Sequence, residues 1–188
     1  MLKQNRELKS IISQRQAEPL LPGQSVAPLS ATDLSGKQIQ VTFSPESKTV
    51  FFVFSPSCKA CELILPDWIS IIDSVDSHSF RKYGLNLGGM EEGNQFLTSH
   101  GLNLEMLSDL ETSTKEEYKL FFTPLTIVIN ENGVVEKVWL GAFNSETRKD
   151  VERYFGISLV DMPNLNGQET SVNISPERLL DSVNSINQ

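Results

Sequence analysis

The stretch VFFVFSPSCKACELILPDW, Val50 to Trp68, changes character twice. Val50 to Phe54 is an unbroken run of β-branched and aromatic residues, the pattern of a strand buried on both faces. Within a few residues the apolar spacing changes from continuous to helical, with Leu63, Ile64, Trp68, Ile71 and Ile72 predicted to form one helix face. Ser57 or Cys58 stands where that helix begins, and Pro66 should kink it by removing an interior hydrogen bond. Both cysteines of the 188-residue chain, Cys58 and Cys61, fall in the turn between strand and helix.

Three chemistries suit such a pair. A zinc site needs about four ligands, and His78 and His100 lie apart from each other without metal-ligand spacing, so no metal is expected. A structural staple across so short a ring gains only about 2 kcal/mol, against nearly 5 for a ring of about 100 residues. A redox pair wants this spacing, because residues three apart on a helix share a face with a rise of about 4.5 Å. The redox reading leads.

Working outward, PGQSVAPLSATDLSGKQIQVTF before the strand has turns at Pro22-Gly23 and Ser35-Gly36, then alternating Ile39, Val41 and Phe43, a hairpin-like entrance to a sheet. Beyond the helix, strands are expected over Phe80–Leu87 and Leu104–Leu107, and helices over Glu91–His100 and Thr112–Leu120. TPLTIVINENGVVEKVWLGAF reads as two strands around Asn132-Gly133, where both positions tolerate positive φ. Asn144 or Ser145 caps a last helix that Gly156 ends. This order of elements predicts an α/β fold, a central mixed sheet with helices on both sides. Residues 1–21 read as a spacer or linker with a weak helical pattern, 22–156 as the folded domain, and 157–188 as an appendage. In the appendage Ser175 could cap a short helix, and the triplet Asn173-Ile174-Ser175 is read as a chance match to a glycosylation acceptor.

Composition narrows the function. Sixteen Lys and Arg against 24 Asp and Glu give a net charge of −8, which opposes a polyanionic partner, so nucleic acid is not expected as a ligand. No apolar run approaches the roughly 18 residues of a membrane span, and MLKQNRELKS lacks the apolar centre of a secretory signal.

A C-x-x-C between a buried strand and a Pro-containing helix resembles the thioredoxin superfamily. Pro66, five residues beyond Cys61, matches that family's helix-kinking proline, and Thr123-Pro124 before LTIVI resembles its cis-proline segment. The leading PG…APL…DLSGKQIQV and the long insertion between Cys61 and Thr123 resemble the TlpA/ResA subgroup of membrane-anchored, extracytoplasmic thiol-disulfide oxidoreductases. SPSCKACELILP is also similar to the MauD-like branch, whose substrate the motif does not carry over. The resemblance implies a thioredoxin-like sheet with an N-terminal β extension and a central insertion. It also implies Cys58 and Cys61 as the catalytic pair, Ser57, Lys59 and Ala60 in the active-site vicinity, and Thr123 and Pro124 at the substrate. No cofactor is required. The expected partners are a protein disulfide substrate and a membrane thiol-disulfide electron carrier, with a membrane tether absent from this chain.

Two departures stand out. Ser57 replaces the tryptophan that often precedes the first cysteine, and Ile64 stands where ResA-type proteins carry an acid, leaving the proton-transfer group unassigned. Competing readings are a non-enzymatic assembly module and a metallochaperone. Peroxidase chemistry is disfavoured, because Phe51 occupies the proline position of the peroxidatic motif that Ser55 would otherwise imitate.

Overall fold

The computed structural model describes residues 18–160. The apolar run of Val50–Phe54 becomes β3 (Lys48–Phe54), fully buried from Thr49 onward. A strand of that composition needs neighbours on both edges, and it has them: β4 (Phe80–Asn86) runs parallel on one side and β6 (Leu125–Ile129) antiparallel on the other. With β1 (Leu29–Asp33), β2 (Gln38–Val41), β5 (Glu105–Ser108) and β7 (Val135–Leu140) they form one seven-stranded mixed sheet, ordered β2-β1-β5-β4-β3-β6-β7. The entrance hairpin β1–β2 extends the sheet by pairing antiparallel with β5, and the segment between Cys61 and Thr123 supplies β4 and β5.

The period-two alternation of β3 divides the core. Val50, Phe52 and Phe54 face a cluster with α1 (Lys59–Ser74), α2 (Met90–Ser99) and α4 (Ser145–Phe155). Phe51 and Val53 face a second cluster, closed by Leu20, Val26, Leu110, Tyr118 and Leu120 around the short α3 (Thr112–Glu117). Among the described residues, helices therefore cover both faces, three on one and one on the other. Stacking and edge-on aromatic contacts, Phe54 with Phe96 at 5.1 Å and Phe52 with Trp68 at 5.5 Å, tie α2 and α1 to the central strand.

The helix after the cysteines differs in detail from its sequence reading. Leu63 is 55% exposed, while Cys61, Ile64, Leu65, Trp68, Ile71 and Ile72 are buried. The buried positions follow the three-four spacing of one stripe and Leu63 falls beside it. α1 continues through Pro66 to Ser74; the carbonyl deprived of its donor is that of Glu62, an exposed residue that water can satisfy. β2 ends at Val41, leaving Phe43 beyond the strand, half-buried against the second cluster beside Gly133. Gly133 needs its freedom on two counts, a φ of 75° and a Phe43 ring atom 2.8 Å from where a Cβ would stand.

At the far end, Asn144 caps α4 by accepting from the N–H groups of Glu146 and Thr147, and Gly156 ends it at a left-handed φ of 68°. Arg148 of α4 pairs with the buried Asp67 of α1, and its guanidinium also donates to the Val160 carbonyl at 2.6 Å. The amino-terminal helical pattern, Ser175 and the Asn173 triplet lie outside the described residues.

Candidate active site

Strand β3 delivers the chain to the surface at Ser55, where a turn built around Pro56 closes through the Cys58 N–H donating to the Ser55 carbonyl at 3.0 Å. Cys58 is the N-cap of α1, in extended conformation with φ −89° and ψ 104° and with no side-chain capping bond. Its sulfur therefore sits at the positive end of the helix, beside backbone N–H groups that have no partner within the helix. Cys61, one turn on, is fully buried in the core cluster, whereas Cys58 packs against the same cluster from a partly exposed position. Ser57 and Lys59 are exposed and Ala60 is half-buried.

The chain also returns to this place from the opposite side. The Thr123–Pro124 peptide bond is cis, and the Cys58 thiol donates to the Thr123 carbonyl at 3.4 Å. Pro124 is buried, and its carbonyl accepts from the Gly141 N–H at 2.8 Å, so β7 fixes the back of the segment. Of the seven residues singled out in the sequence, Cys58, Cys61 and Thr123 interact directly; Ser57, Lys59, Ala60 and Pro124 are chain neighbours of these.

The two thiols differ in acidity. For Cys58, partial burial opposes ionisation, but hydrogen bonds from the Cys61 and Thr123 side chains and from the backbone at Cys61 and Ala60 outweigh it, and the thiol falls below its ordinary value. For Cys61, burial comes first, and a neighbouring Cys58 thiolate that already engages its proton adds to it; the Cys61 thiol is pushed up to about 12. The arrangement holds one sulfur ready to ionise and keeps the other protonated.

Several features around the pair escape sequence reasoning. Asn86, at the end of β4, is 1% exposed and organises the Leu87–Gly89 loop beside Pro56. The Asn-Leu-Gly-Gly run, an amide at a strand end followed by two glycines, is the signal that could have found it. Trp68 donates its indole N–H to the buried Thr126 hydroxyl at 2.9 Å, giving the apolar face of α1 a polar anchor on β6. Among the described residues the buried carboxylate is Asp67, and Arg148 holds it. No cluster of three or more His, Cys, Asp or Glu side chains is placed to hold a metal among the described residues.

The model of the AhpC/TSA family matches residues 22–138, from the entrance turn to the last strand. The chain belongs to the AhpC/TSA family. Sporulation thiol-disulfide oxidoreductase A of Bacillus subtilis is 26% identical over 121 residues, which is 62% of this chain and 73% of that protein. The crystal structure of StoA from Bacillus subtilis superposes with a TM-score of 0.54 at 23% identity, over 68% of this chain and 98% of that one. A thiol:disulfide interchange protein DsbE from Chlorobium tepidum gives 0.62 at 15% identity, over 73% and 97%. The fold is thus thioredoxin-like and of the TlpA/ResA kind. Within that family and fold, the activity of the chain is thiol-disulfide oxidoreduction.

Proposed function

We propose that the protein reduces disulfides of extracytoplasmic proteins, with Cys58 as the attacking sulfur and Cys61 as the resolving one. The observation that carries this reading is the asymmetry of the pair: a partly exposed, acidified thiol at a helix amino terminus and a buried, protonated one behind it.

The Cys58 thiolate attacks one sulfur of a substrate disulfide, forming a Cys58–substrate bond as the substrate S–S bond breaks. The departing substrate thiolate takes a proton from solvent. Once Cys58 is in the mixed disulfide it no longer carries a charge, so the part of the Cys61 shift that comes from Cys58 disappears and only the cost of burial remains. Cys61 then loses its proton to solvent and attacks Cys58, releasing the second substrate sulfur as a thiolate that is protonated in turn. The substrate gains two electrons and Cys58–Cys61 becomes the disulfide. A membrane thiol carrier restores the dithiol by the same exchange in reverse.

Thr123 is the partner for the substrate backbone, since it already touches Cys58 and lies in a segment whose far side is held by Gly141. Ser57, Lys59 and Ala60 form the surface around the attacking sulfur, and residues 22–156 are the redox domain between two flanking segments. A tether outside this sequence would hold it at the membrane; no helix among the described residues is long and apolar enough to cross one.

The test is turnover of an oxidised protein such as insulin, with a thiol reductant supplying electrons, together with trapping. Cys61→Ser is expected to accumulate a mixed disulfide through Cys58, and Cys58→Ser none. Absence of turnover by the wild-type chain would leave an assembly module as the better reading. Copper binding by the reduced chain in place of turnover would favour a metallochaperone.

A further inference from the structure

Two loops leave the sheet side by side above the cysteines. Phe54 and Asn86 are paired in register at the ends of β3 and β4, and the Leu87 N–H donates to the Phe54 carbonyl at 2.9 Å. From Phe54 the chain enters the Ser55–Cys58 turn; from Asn86 it enters Leu87–Gly89. The second loop is fixed from within by the Asn86 side chain. Its Nδ2 donates to the carbonyls of Gly89 at 2.7 Å and Gly88 at 3.3 Å and to the Ser108 hydroxyl at 3.2 Å, while its Oδ1 accepts from the Gly88 N–H at 2.9 Å. A buried amide with this many partners is a rigid fixture, because freeing any of them leaves a buried polar group unpaired.

The fixed loop abuts the cysteine turn. A Cβ on Gly88 would stand 2.8 Å from Cδ of Pro56, closer than carbon atoms approach without something moving. Gly88 has no left-handed φ, so its lack of a side chain answers to the Pro56 contact and not to the backbone. Pro56 lies inside the turn whose last N–H belongs to Cys58. Resting on the reading of Cys58 as the attacking sulfur, we propose that Gly88, held by Asn86, is a positioning residue. It is the stop against which the Pro56 turn rests, and it sets where the Cys58 sulfur lies relative to Thr123 and the first turn of α1.

The consequence is specific. A methyl at residue 88 pushes Pro56 and the Cys58 end of its turn by a few tenths of an ångström. The hydrogen bonds that favour the Cys58 thiolate lengthen, and the thiol moves back toward its ordinary acidity. Removing the Pro56 ring gives the methyl room and cancels the effect.

The experiment measures iodoacetamide labelling of Cys58 against pH, assigned by mass spectrometry, in the reduced full chain and in Gly88→Ala, Pro56→Ala and the double variant. We expect Gly88→Ala to lower Cys58 labelling about threefold at pH values below the midpoint, the size of a half-unit rise in pKa. In the Pro56→Ala background the same methyl should change nothing. A Gly88→Ala profile that superimposes on wild type, or an equal change in both backgrounds, overturns the proposal. If Gly88→Ala does not fold, Asn86→Ala carries the test by releasing the loop instead of crowding it: a raised Cys58 midpoint supports the proposal and an unchanged one overturns it. Insulin turnover by the wild-type chain is measured in parallel. Its absence would count against the reductase reading alone, since labelling reports thiol position without a substrate.

Discussion

The most direct perturbation of the site is Cys61→Ala, read at Cys58. In the structure the Cys61 side chain is the foremost of the contacts that favour the Cys58 thiolate, ahead of Thr123 and the backbone. A hydrogen bond to a charged group contributes roughly 1.5–3 kcal/mol, and a thiol is a weak donor, so the lower end applies. About 1.4 kcal/mol corresponds to one pKa unit. The Thr123 and backbone contacts survive the substitution, which limits the change to about that amount. The Cys58 midpoint in iodoacetamide labelling should therefore rise by about one unit in Cys61→Ala, and labelling at pH values below the midpoint should fall about tenfold. In the wild-type chain the same assay should show almost no reaction at Cys61. With Cys58 below 9.0 and Cys61 pushed up to about 12, their thiolate populations differ by about a thousandfold or more at pH values below both midpoints. A Cys58 midpoint that stays put or falls on loss of Cys61, or comparable labelling of the two cysteines in the folded chain, would refute the hydrogen-bonded asymmetry.

Further outcomes follow from the buried groups. Because the folded-state pKa of Cys61 is raised from 9.0 to about 12, its contribution to stability is fully present below about pH 9 and is lost as pH rises toward 12. Urea unfolding of the reduced chain should show a loss of up to about 1.4 kcal/mol per pH unit across that window from this group, and Cys61→Ser should remove that component. Arg148→Ala strips the buried Asp67 of its cation and should cost about 3–5 kcal/mol at pH 7. Burial raises the Asp67 pKa, so the penalty should shrink as pH falls toward 4 and the carboxyl protonates; equal penalties at both pH values would contradict the ion pair. Trp68→Phe leaves the Thr126 hydroxyl unpaired in the core and should cost about 1–3 kcal/mol in the same measurement, whereas a change below about 0.5 kcal/mol would show that Thr126 finds another partner.

The parts of this molecule that the sequence disclosed are those whose physics is local. Val50–Phe54 has the composition of a strand without solvent-facing positions, and Asn144 and Gly156 punctuate a helix at its two ends; of the Asn132-Gly133 pair only Gly133 takes the positive φ expected of both. The cysteine pair was legible for the same reason, its two members lying three residues apart. What stayed hidden depends on residues brought together from far apart. Nothing in LSATD announces that β1 will lie against β5. Arg148 is one of several basic residues until the fold sets it against Asp67, 81 positions away. Leu63 was placed in the core because it is apolar, yet position on the helix and not side-chain type decides which way it points. Asn86 reads only as one residue of an expected strand and Gly88 as nothing in particular, and only the adjacency of β3 and β4 places them beside Pro56.

The complete burial of Cys61 within the cluster of Phe54, Ile64 and Trp68 joins two quantities that are usually measured apart. Forming the bond to Cys58 changes what the interior must accommodate, so folding and electron transfer make up one closed thermodynamic cycle. The extra stability of the oxidised over the reduced chain equals the extra ease of closing the disulfide in the folded over the unfolded chain. On that equivalence each 1.4 kcal/mol of differential stability corresponds to about 30 mV. A substitution at Phe54 or Ile64, touching no substrate and no carrier, would then act as a tuning screw on the driving force whenever it suits one oxidation state better than the other. Melting curves of the two states would report it as directly as an electrode.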